Sequence, residues 1–199
     1  MADRGGTVRV LRAADRPAEA WRNGGGLTRQ IAAWPEDAGT DAFAWRVSLA
    51  DVAADGPFSS FPGIDRTLTL VEGAGMDLTV AGVHRRIAER YAPQDFAGDE
   101  PTDCRLLHGP VRNVNVMYRR DRVRAEVAVV RGRLTLTAAP GETLLVAALD
   151  GPAALDPAGA PGPALALAPY DAALATGPYC WSLRTEGRAA VVRLAARPS

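Results

Sequence analysis

Hydrophobic and polar residues alternate in short runs along most of the chain, and turn-forming residues separate the runs. Trp45–Ala50 is typical, because Trp, Val and Leu fall on one side of an extended chain while Arg46 and Ser48 fall on the other. A period of two residues predicts β-strands. The predicted strands are Thr7–Leu11, Leu27–Trp34, Phe43–Ala50, Arg66–Glu72, Met76–Val80, Val83–Ala88, Cys104–His108, Val111–Tyr118, Arg122–Val130, Arg133–Ala138, Glu142–Leu149, Ala164–Leu167, Asp171–Leu174, Tyr179–Thr185 and Ala189–Ala195.

Short strands without long helical segments between them favour an antiparallel sandwich or barrel over alternating strands and helices. Only Ala13–Trp21 predicts a short helix, although Pro17 interrupts it. Tight hairpins are expected at Ala81-Gly82 and Arg131-Gly132, and Glu72–Gly75 joins two further strands, so neighbouring strands are expected to pair. We therefore predict an all-β fold with little helix.

The charge balance excludes several classes of function. The chain has 199 residues, with 23 basic and 23 acidic side chains, so neither nucleic acid nor an anionic membrane is an expected partner. Every basic residue is arginine, which removes Schiff-base and P-loop chemistry because both need a lysine. No leader pattern or membrane-length apolar run is present, and we expect a soluble, cytoplasmic protein.

The sequence gives little support for a metal or redox centre. Cys104 and Cys180 are far apart and outside any CxxC pattern, so both are expected to be small buried hydrophobes. His84 and His108 are the only histidines, which rules out a three-histidine metal site within one chain. We expect no metal and no cofactor, and we assign no catalytic residue.

Three consecutive glycines, Gly24–Gly26, lie between Trp21 and Thr28. Glycine is used where the backbone takes a positive φ or approaches another group closely, so the run predicts a shaped loop. We interpret it as a rim over a barrel mouth that lets Trp21 and Asn23 reach a small ligand.

The loop Gly56–Arg66 holds two phenylalanines between prolines and glycines. Phe58 and Phe61 are expected either to anchor the loop to the core or to line a cavity. Arg66 follows Asp65, so its guanidinium either binds a ligand carboxylate with two parallel hydrogen bonds or forms a local ion pair.

Two predicted strands carry polar residues on a single face. Arg46 and Ser48 share one such face and either point to solvent or line a barrel pocket. Asn113 and Asn115 share another with Met117, although asparagine is poorly suited to strands. Hydrogen bonding to a ligand, or to a loop, would explain both asparagines.

Four segments in this order resemble the HutD/Ves family: Trp21–Arg29, Ala44–Ser48, Gly56–Arg66 and Asn113–Met117. The resemblance implies a cupin-like β-barrel fold in a bacterial cytoplasmic protein, with two fused barrel halves (a bicupin). The motif-bearing half would cover residues 1–120 and the second β half residues 121–199. Gln30 stands where the family usually has an acidic residue, which implies that Arg29 or Arg46 lacks an acidic partner.

The family context implies a regulator of histidine utilisation that binds a pathway metabolite rather than catalysing a step. Our first hypothesis is a metal-free protein that binds a carboxylated or formylated metabolite, such as urocanate or a formylated glutamate derivative. Arg46 or Arg66 would neutralise the carboxylate and Ser48 would line the pocket. The polar end of the ligand would contact Asn23 and Asn115, and its planar or apolar body would contact Trp21 and Phe58.

Three alternatives remain. A cupin-like isomerase or hydrolase would use His84, His108 or Glu72 as acid or base. A Ves-type protein would act in the stress response. We expect the chain to form a homodimer. In the third alternative, an interaction protein, the motif residues only fasten loops and the second half forms that homodimer.

Overall fold

The computed structural model describes residues 6–21, 24–39, 42–158 and 162–197. Within these ranges the regular structure is β-strand apart from one 3-10 turn, Ala13–Asp15, so the all-β prediction is confirmed. In chain order the strands are β1 Thr7–Leu11, β2 Glu19–Ala20, β3 Gly26–Trp34, β4 Trp45–Val52, β5 Gly56–Pro57, β6 Ile64–Glu72, β7 Met76–Val80, β8 Val83–Ile87, β9 Pro93–Ala97, β10 Thr102–Leu106, β11 Val111–Arg119, β12 Val123–Ala138, β13 Glu142–Ala148, β14 Ala153–Pro157, β15 Leu165–Leu167, β16 Ala172–Thr176 and β17 Tyr179–Ala196.

The helix predicted over Ala13–Trp21 is wrong. After the single 3-10 turn the chain continues without helix and enters β2. Pro17 cannot donate the backbone hydrogen bond that a helix would require there. The amide of Ala13 donates a hydrogen bond to the carboxylate of Asp171 at 2.7 Å, and this partner is 158 residues away in the sequence.

The chain divides into two compact units, which are Arg16–Val123 and the combination of Met1–Asp15 with Arg124–Ser199. We call the first the motif-bearing unit, because it carries the four family motifs, and the second the C-terminal unit. Strand β1 belongs to the C-terminal unit because it pairs with β16. The two halves expected from the sequence, 1–120 and 121–199, separate β1 from β16, whereas the structure pairs these strands within one unit.

The motif-bearing unit consists of two antiparallel sheets. One has six strands in the order β2-β3-β4-β11-β6-β9, and the other has four in the order β5-β10-β7-β8. The hairpin at Ala81-Gly82 is confirmed, since Val80 faces Val83 and both turn residues have positive φ, 48° and 80°. The expected pairing across Glu72–Gly75 is wrong, because β6 and β7 lie in different sheets.

Apolar side chains from both sheets form one core inside the motif-bearing unit. Leu68 and Leu70 of the six-stranded sheet belong to the same cluster as Met76 and Cys104 of the four-stranded sheet. Cys104 is buried as predicted, and burial raises the pKa of its thiol to about 12. The prediction for Cys180 is wrong, because that side chain is exposed.

The C-terminal unit contains one seven-stranded sheet, in which β12 pairs with β17. The hairpin predicted at Arg131-Gly132 is wrong, since β12 continues from Val123 to Ala138. Gly132 has a φ of 84°, a local irregularity that does not end the strand. The two strands predicted between Tyr179 and Ala195 are likewise one, β17. No helix in the described part of the chain has the length and apolar character needed to span a membrane.

Candidate functional site

Three strands of the six-stranded sheet bring two arginines into one row. Met117 of β11 faces Arg46 on β4 and Arg66 on β6, and Arg66 in turn faces Phe96 on β9. Phe96 belongs to the core cluster shared by the two sheets. Because side chains at paired positions share a face, this row lies on the side of the sheet that faces the interior of the motif-bearing unit.

Arg66 is the most deeply buried cation of the row, with 7% of the residue exposed. Its Cζ lies 5.0 Å from the ring centre of Phe58 and 5.1 Å from that of Phe96. Burial, with the nearby charge of Arg46, lowers the pKa of Arg66 to about 10. Its buried Nε has no hydrogen-bond partner in the described residues. The alternative of a local pair with Asp65 is wrong, because the Asp65 carboxylate binds Arg120 at 2.9 Å.

Arg46 lies at the other end of the row and is half-buried. Its Cζ is 5.1 Å from the ring centre of Phe43 and 5.8 Å from that of Phe61, and its Nη2 donates to Met117 Sδ at 3.4 Å. Four phenylalanine rings therefore surround the two guanidinium groups. The planes of aromatic rings attract cations electrostatically, which offsets part of the cost of burying them.

A second row of polar side chains lies next to the arginines. Asn115 faces Ser48 on β4 and Leu68 on β6, and both polar residues are buried, with 7% and 1% exposed. The solvent-facing alternative is therefore wrong for Ser48. The Oδ1 atom of Asn115 accepts no hydrogen bond from the described residues, so this buried acceptor does not fasten a described loop.

The glycine run brings Trp21 close to the arginine row. A Cβ on Gly26 would lie 2.4 Å from the carbonyl oxygen of Asp51 and 3.1 Å from the Trp21 ring, so only glycine fits between them. The Trp21 Nε1 donates to Thr28 Oγ1 at 2.8 Å. Its ring meets Phe58 edge to face, with centres 6.1 Å apart.

Six of the seven predicted site residues are therefore placed by the structure, and Asn23 lies outside the described residues. The register brings Arg46, Ser48, Arg66 and Asn115 onto one face of adjacent strands. Trp21 joins this group through Phe58, which contacts Arg66.

Alternating charges cross four strands of the same sheet. Asp51 on β4 accepts hydrogen bonds from Arg29 on β3 and from Arg112 on β11, and Arg112 also binds Glu72 on β6 at 3.0 Å. The implied lack of an acidic partner is thus wrong for Arg29. Burial raises the pKa of Asp51, but the hydrogen bonds and charges of Arg112 and Arg29 outweigh it and hold that pKa below its usual range. We call this row the charge ladder.

Sequence reasoning missed part of the aromatic wall. Phe96 lies on β9, a strand that was not predicted because the run Pro93–Ala97 lacks a clear apolar alternation. Phe43 lies just before β4 and packs with Phe61, their ring centres 6.5 Å apart. A composition signal was available, since all four phenylalanines of the chain lie in the motif-bearing unit.

The side chains required by the enzyme alternative are on the surface. His84, His108 and Glu72 are all exposed. His84 contacts the Thr79 hydroxyl at 3.2 Å, and Glu72 belongs to the charge ladder. Among the described residues no three histidine, cysteine, aspartate or glutamate side chains are grouped as metal ligands.

The C-terminal unit has an apolar cavity lined by β-strand side chains, including Leu144, Val146, Tyr179 and Trp181. It has room for roughly one water molecule. Burial raises the pKa of Tyr179, and its buried hydroxyl has no hydrogen-bond partner among the described residues.

Known proteins share this fold and these motifs. A cupin 2 conserved barrel domain protein from Leptotrichia buccalis is similar in structure, with a TM-score of 0.56 and 9% sequence identity. The superposed region spans 86% of this chain and 89% of that one. That likeness shows a cupin-like fold alone. HutD from Pseudomonas fluorescens SBW25, in a formate condition, is 33% identical with a TM-score of 0.81, over 96% of this chain and 100% of that one.

Sequence relatives extend the same likeness. A 21.2 kDa protein from the hutC 3′ region of Pseudomonas putida is 37% identical over 141 residues, which is 71% of this chain and 74% of the relative. Protein Ves from Citrobacter koseri is 37% identical over 131 residues, 65% of this chain and 68% of the relative. The family model named HutD matches residues 13–193. With the motif residues arranged on one cupin-like sheet, the match over almost the whole chain means that this protein belongs to the HutD family.

Proposed function

We propose that the motif-bearing unit binds a small carboxylate beside Arg66 and that the protein acts as a metabolite-responsive regulator. The observation that carries this proposal is the buried guanidinium of Arg66, which forms no ion pair with a carboxylate of the described residues. A buried charge is costly unless an opposite charge or several hydrogen bonds compensate it. A ligand carboxylate would supply both.

The protonation state of Arg66 fits this role. Its pKa of about 10 leaves the side chain positively charged at neutral pH despite burial and the repulsion from Arg46. A guanidinium offers parallel donors that match the two oxygens of a carboxylate. The rings of Phe58 and Phe96 lie 5.0 and 5.1 Å from its Cζ, within cation–π range, so they favour one position of the group before a ligand arrives.

The remaining polar and aromatic groups narrow the ligand class. Asn115 Oδ1 is a buried acceptor without a donor, so it favours a ligand that also carries an N–H or O–H group. The Phe58 and Trp21 rings favour a planar or apolar body. Urocanate combines a carboxylate, an N–H donor and a planar body, and so meets all three requirements. N-formylglutamate supplies carboxylates and an N–H donor but no planar ring.

The context of the relatives supports a regulatory role in histidine utilisation. One relative is described from the hutC 3′ region, and one related structure is HutD itself. That HutD structure is described as a formate condition, and formate is the simplest carboxylate. We therefore propose that this chain modulates histidine utilisation by binding a carboxylated or formylated intermediate.

Isothermal titration calorimetry tests the proposal directly. Urocanate, N-formylglutamate and formate are titrated into the wild-type chain, with urocanate methyl ester and N-formylglutamate dimethyl ester as controls that lack a carboxylate. We expect binding of at least one acid, weaker binding of its ester, and a loss of about 100-fold in affinity for Arg66→Ala. Arg86→Ala removes an exposed arginine of β8 and should bind as wild type does.

Two results would contradict the proposal. One is the absence of binding for all three acids. The other is binding that Arg66→Ala leaves unchanged, because the anion would then occupy another part of the molecule.

A further inference from the structure

Arg120 forms the densest set of side-chain hydrogen bonds near the site, although it lies outside the interior row. Its Nε donates to Asp65 Oδ1 at 2.9 Å, and its Nη1 and Nη2 donate to the two carboxylate oxygens of Asp99 at 2.9 and 2.7 Å. Nη2 also donates to the carbonyl oxygen of Ile64 at 3.0 Å. The backbone amide of Arg120 donates to the carbonyl oxygen of Gly63 at 3.1 Å.

These partners hold together three segments of the motif-bearing unit. Ile64 and Asp65 open β6, Asp99 lies in the turn after β9, and Arg120 follows β11. Parallel hydrogen bonds from a guanidinium to both oxygens of a carboxylate fix orientation as well as distance. In agreement, the hydrogen bonds from Arg120 hold the pKa of Asp99 below its usual range.

The same segments carry the wall of the candidate site. Phe61 donates its amide to the Gly98 carbonyl oxygen at 2.8 Å, and Gly98 donates to the Ile64 carbonyl oxygen at 2.7 Å. The hydroxyl of Ser60 donates to the carbonyl oxygen of Asp99 at 3.4 Å. The loop that bears Phe61 is therefore attached to the turn that Arg120 holds.

Both buried arginines contact this assembly. The Phe61 ring lies 5.8 Å from Arg46 Cζ. At Gly98, an added Cβ would lie 3.2 Å from both Cγ and Cδ of Arg66, so this turn packs closely on the Arg66 stem. A small displacement of the turn would loosen the contacts that orientate the two guanidinium groups.

We infer that Arg120 is a positioning residue for the carboxylate site, acting through Asp99 and the Phe61 loop. The inference rests on the proposed function and adds a determinant of affinity that never touches the ligand. The Arg120, Asp65 and Asp99 side chains are each about one-third exposed, at 38%, 33% and 34%, so solvent screens their ion pairs in part. Because the pairing of Arg120 with Asp99 is bidentate and belongs to a network, it also contributes to folding, and urea denaturation of each variant therefore accompanies the affinity measurement.

The test compares variants of the full chain, with urocanate and N-formylglutamate as probes. Arg120→Ala and the milder Asp99→Asn should each weaken binding about tenfold, chiefly through faster dissociation. The double variant should bind no more weakly than Arg120→Ala alone, because that substitution already removes the contact with Asp99. Arg120→Lys should restore only part of the affinity, since an ammonium group cannot make the paired hydrogen bonds.

Arg184→Ala is the matched control. Arg184 also binds a single aspartate through two nitrogens, at 2.7 and 3.2 Å to Asp156, and it is 49% exposed in the C-terminal unit. This variant should keep wild-type affinity. Hydrogen exchange without added probe should show faster exchange at the Phe61 and Gly98 amides in Arg120→Ala and no change there in Arg184→Ala.

The outcomes separate this inference from the proposed function. If wild type binds a probe and Arg120→Ala binds it equally well, the positioning role is wrong and the proposed function stands. The positioning role is also wrong if Arg184→Ala weakens binding as much as Arg120→Ala does. If wild type binds none of urocanate, N-formylglutamate and formate, both the proposed function and the positioning role are overturned; if it binds formate alone, the variants are compared with formate.

Discussion

The interiors of the two units treat buried charge in opposite ways. In the C-terminal unit the buried carboxylate of Asp171 accepts hydrogen bonds from Arg12 at 2.7 Å and from the amides of Ala13 and Ala168 at 2.7 and 3.1 Å. In the motif-bearing unit the buried guanidinium of Arg66 has rings as neighbours and no carboxylate among the described residues. The C-terminal unit pairs this buried charge internally, whereas the motif-bearing unit leaves the charge of Arg66 without an ion-pair partner among the described residues.

The surroundings of the two charges explain the difference. The core cluster of the C-terminal unit consists of alanine, valine and leucine, with Tyr179 and Trp181 packed at its margin. The interior of the motif-bearing unit adds Ser48, Asn113 and Asn115 to its apolar residues. A buried polar group costs free energy when it lacks a partner, so Arg66 and Asn115 lower the stability of the motif-bearing interior.

Replacing Arg66 should remove the difference in buried charge between the two units. We expect this change to have the largest effect on carboxylate affinity. Arg66→Met should reduce carboxylate affinity by about 100-fold or more, because the counter-charge is gone. It should also raise the free energy of unfolding by about 1–4 kcal/mol, since an apolar side chain of similar length replaces a buried charge. Calorimetric titration and urea denaturation measure the two effects, with Arg86→Met as the exposed control. A variant that binds normally and is less stable would show that Arg66 serves the fold.

Removing the buried carboxylate of Asp171 should lower stability and leave ligand affinity unchanged. Asp171→Ala should lower the free energy of unfolding by about 2 kcal/mol, because two amides and Arg12 lose their acceptor. Urocanate affinity should stay within twofold of wild type. Asp156→Ala, which disrupts only the exposed pair with Arg184, should unfold close to wild type in the same denaturation experiment. Equal losses for the two variants would contradict the importance given to burial.

A substitution in the glycine run should have a smaller effect on stability. It tests the packing around Trp21 in the motif-bearing unit. Gly26→Ala should destabilise the protein by about 1–2 kcal/mol, because its Cβ would collide with the Asp51 carbonyl oxygen and approach the Trp21 ring. Tryptophan fluorescence should shift as that ring moves. Gly141→Ala is the control, since no atom lies near its added Cβ and its positive φ strains the backbone of the C-terminal unit, to which Trp21 does not belong. An unchanged spectrum for Gly26→Ala would contradict the packing argument.

The pH dependence of binding should give the smallest effect. The pKa of Arg66 is about 10, so about half of the free protein has a neutral Arg66 at pH 10. Only the cation pairs with a carboxylate, and affinity should therefore be constant from neutral pH to about pH 9 and about twofold lower at pH 10. Titration of N-formylglutamate, whose carboxylates stay ionised throughout, measures this. Affinity that rises with pH would contradict Arg66 as the anion-binding group.

Local sequence patterns predicted most of the strands and the face on which Arg46, Ser48 and Asn115 lie. A period of two residues is a property of the extended backbone, so it can be read without the partner strands. Phe96 was missed as a neighbour of Arg66 because its contact depends on pairing between β6 and β9. Such a contact between distant segments leaves no local pattern.

The errors have different origins. The helix over Ala13–Trp21 failed because Pro17 lacks the backbone donor that a helix needs at that position. The hairpin at Arg131-Gly132 failed because a glycine with positive φ is compatible with an irregular strand as well as with a turn. Arg120 was not singled out from the sequence, because its partners Asp65 and Asp99 could not be identified without the fold.

The charge ladder has a consequence for how the sheet assembles. Alternating apolar residues penalise a shift of one position between strands, because every side chain would change face. A shift of two positions restores the faces, and apolar patterning alone cannot reject it. Such a shift would separate Asp51 from Arg112, and Arg112 from Glu72, whose pairs span adjacent strands. These charges on the sheet thereby distinguish the one alignment that brings Arg46, Met117 and Arg66 level with each other.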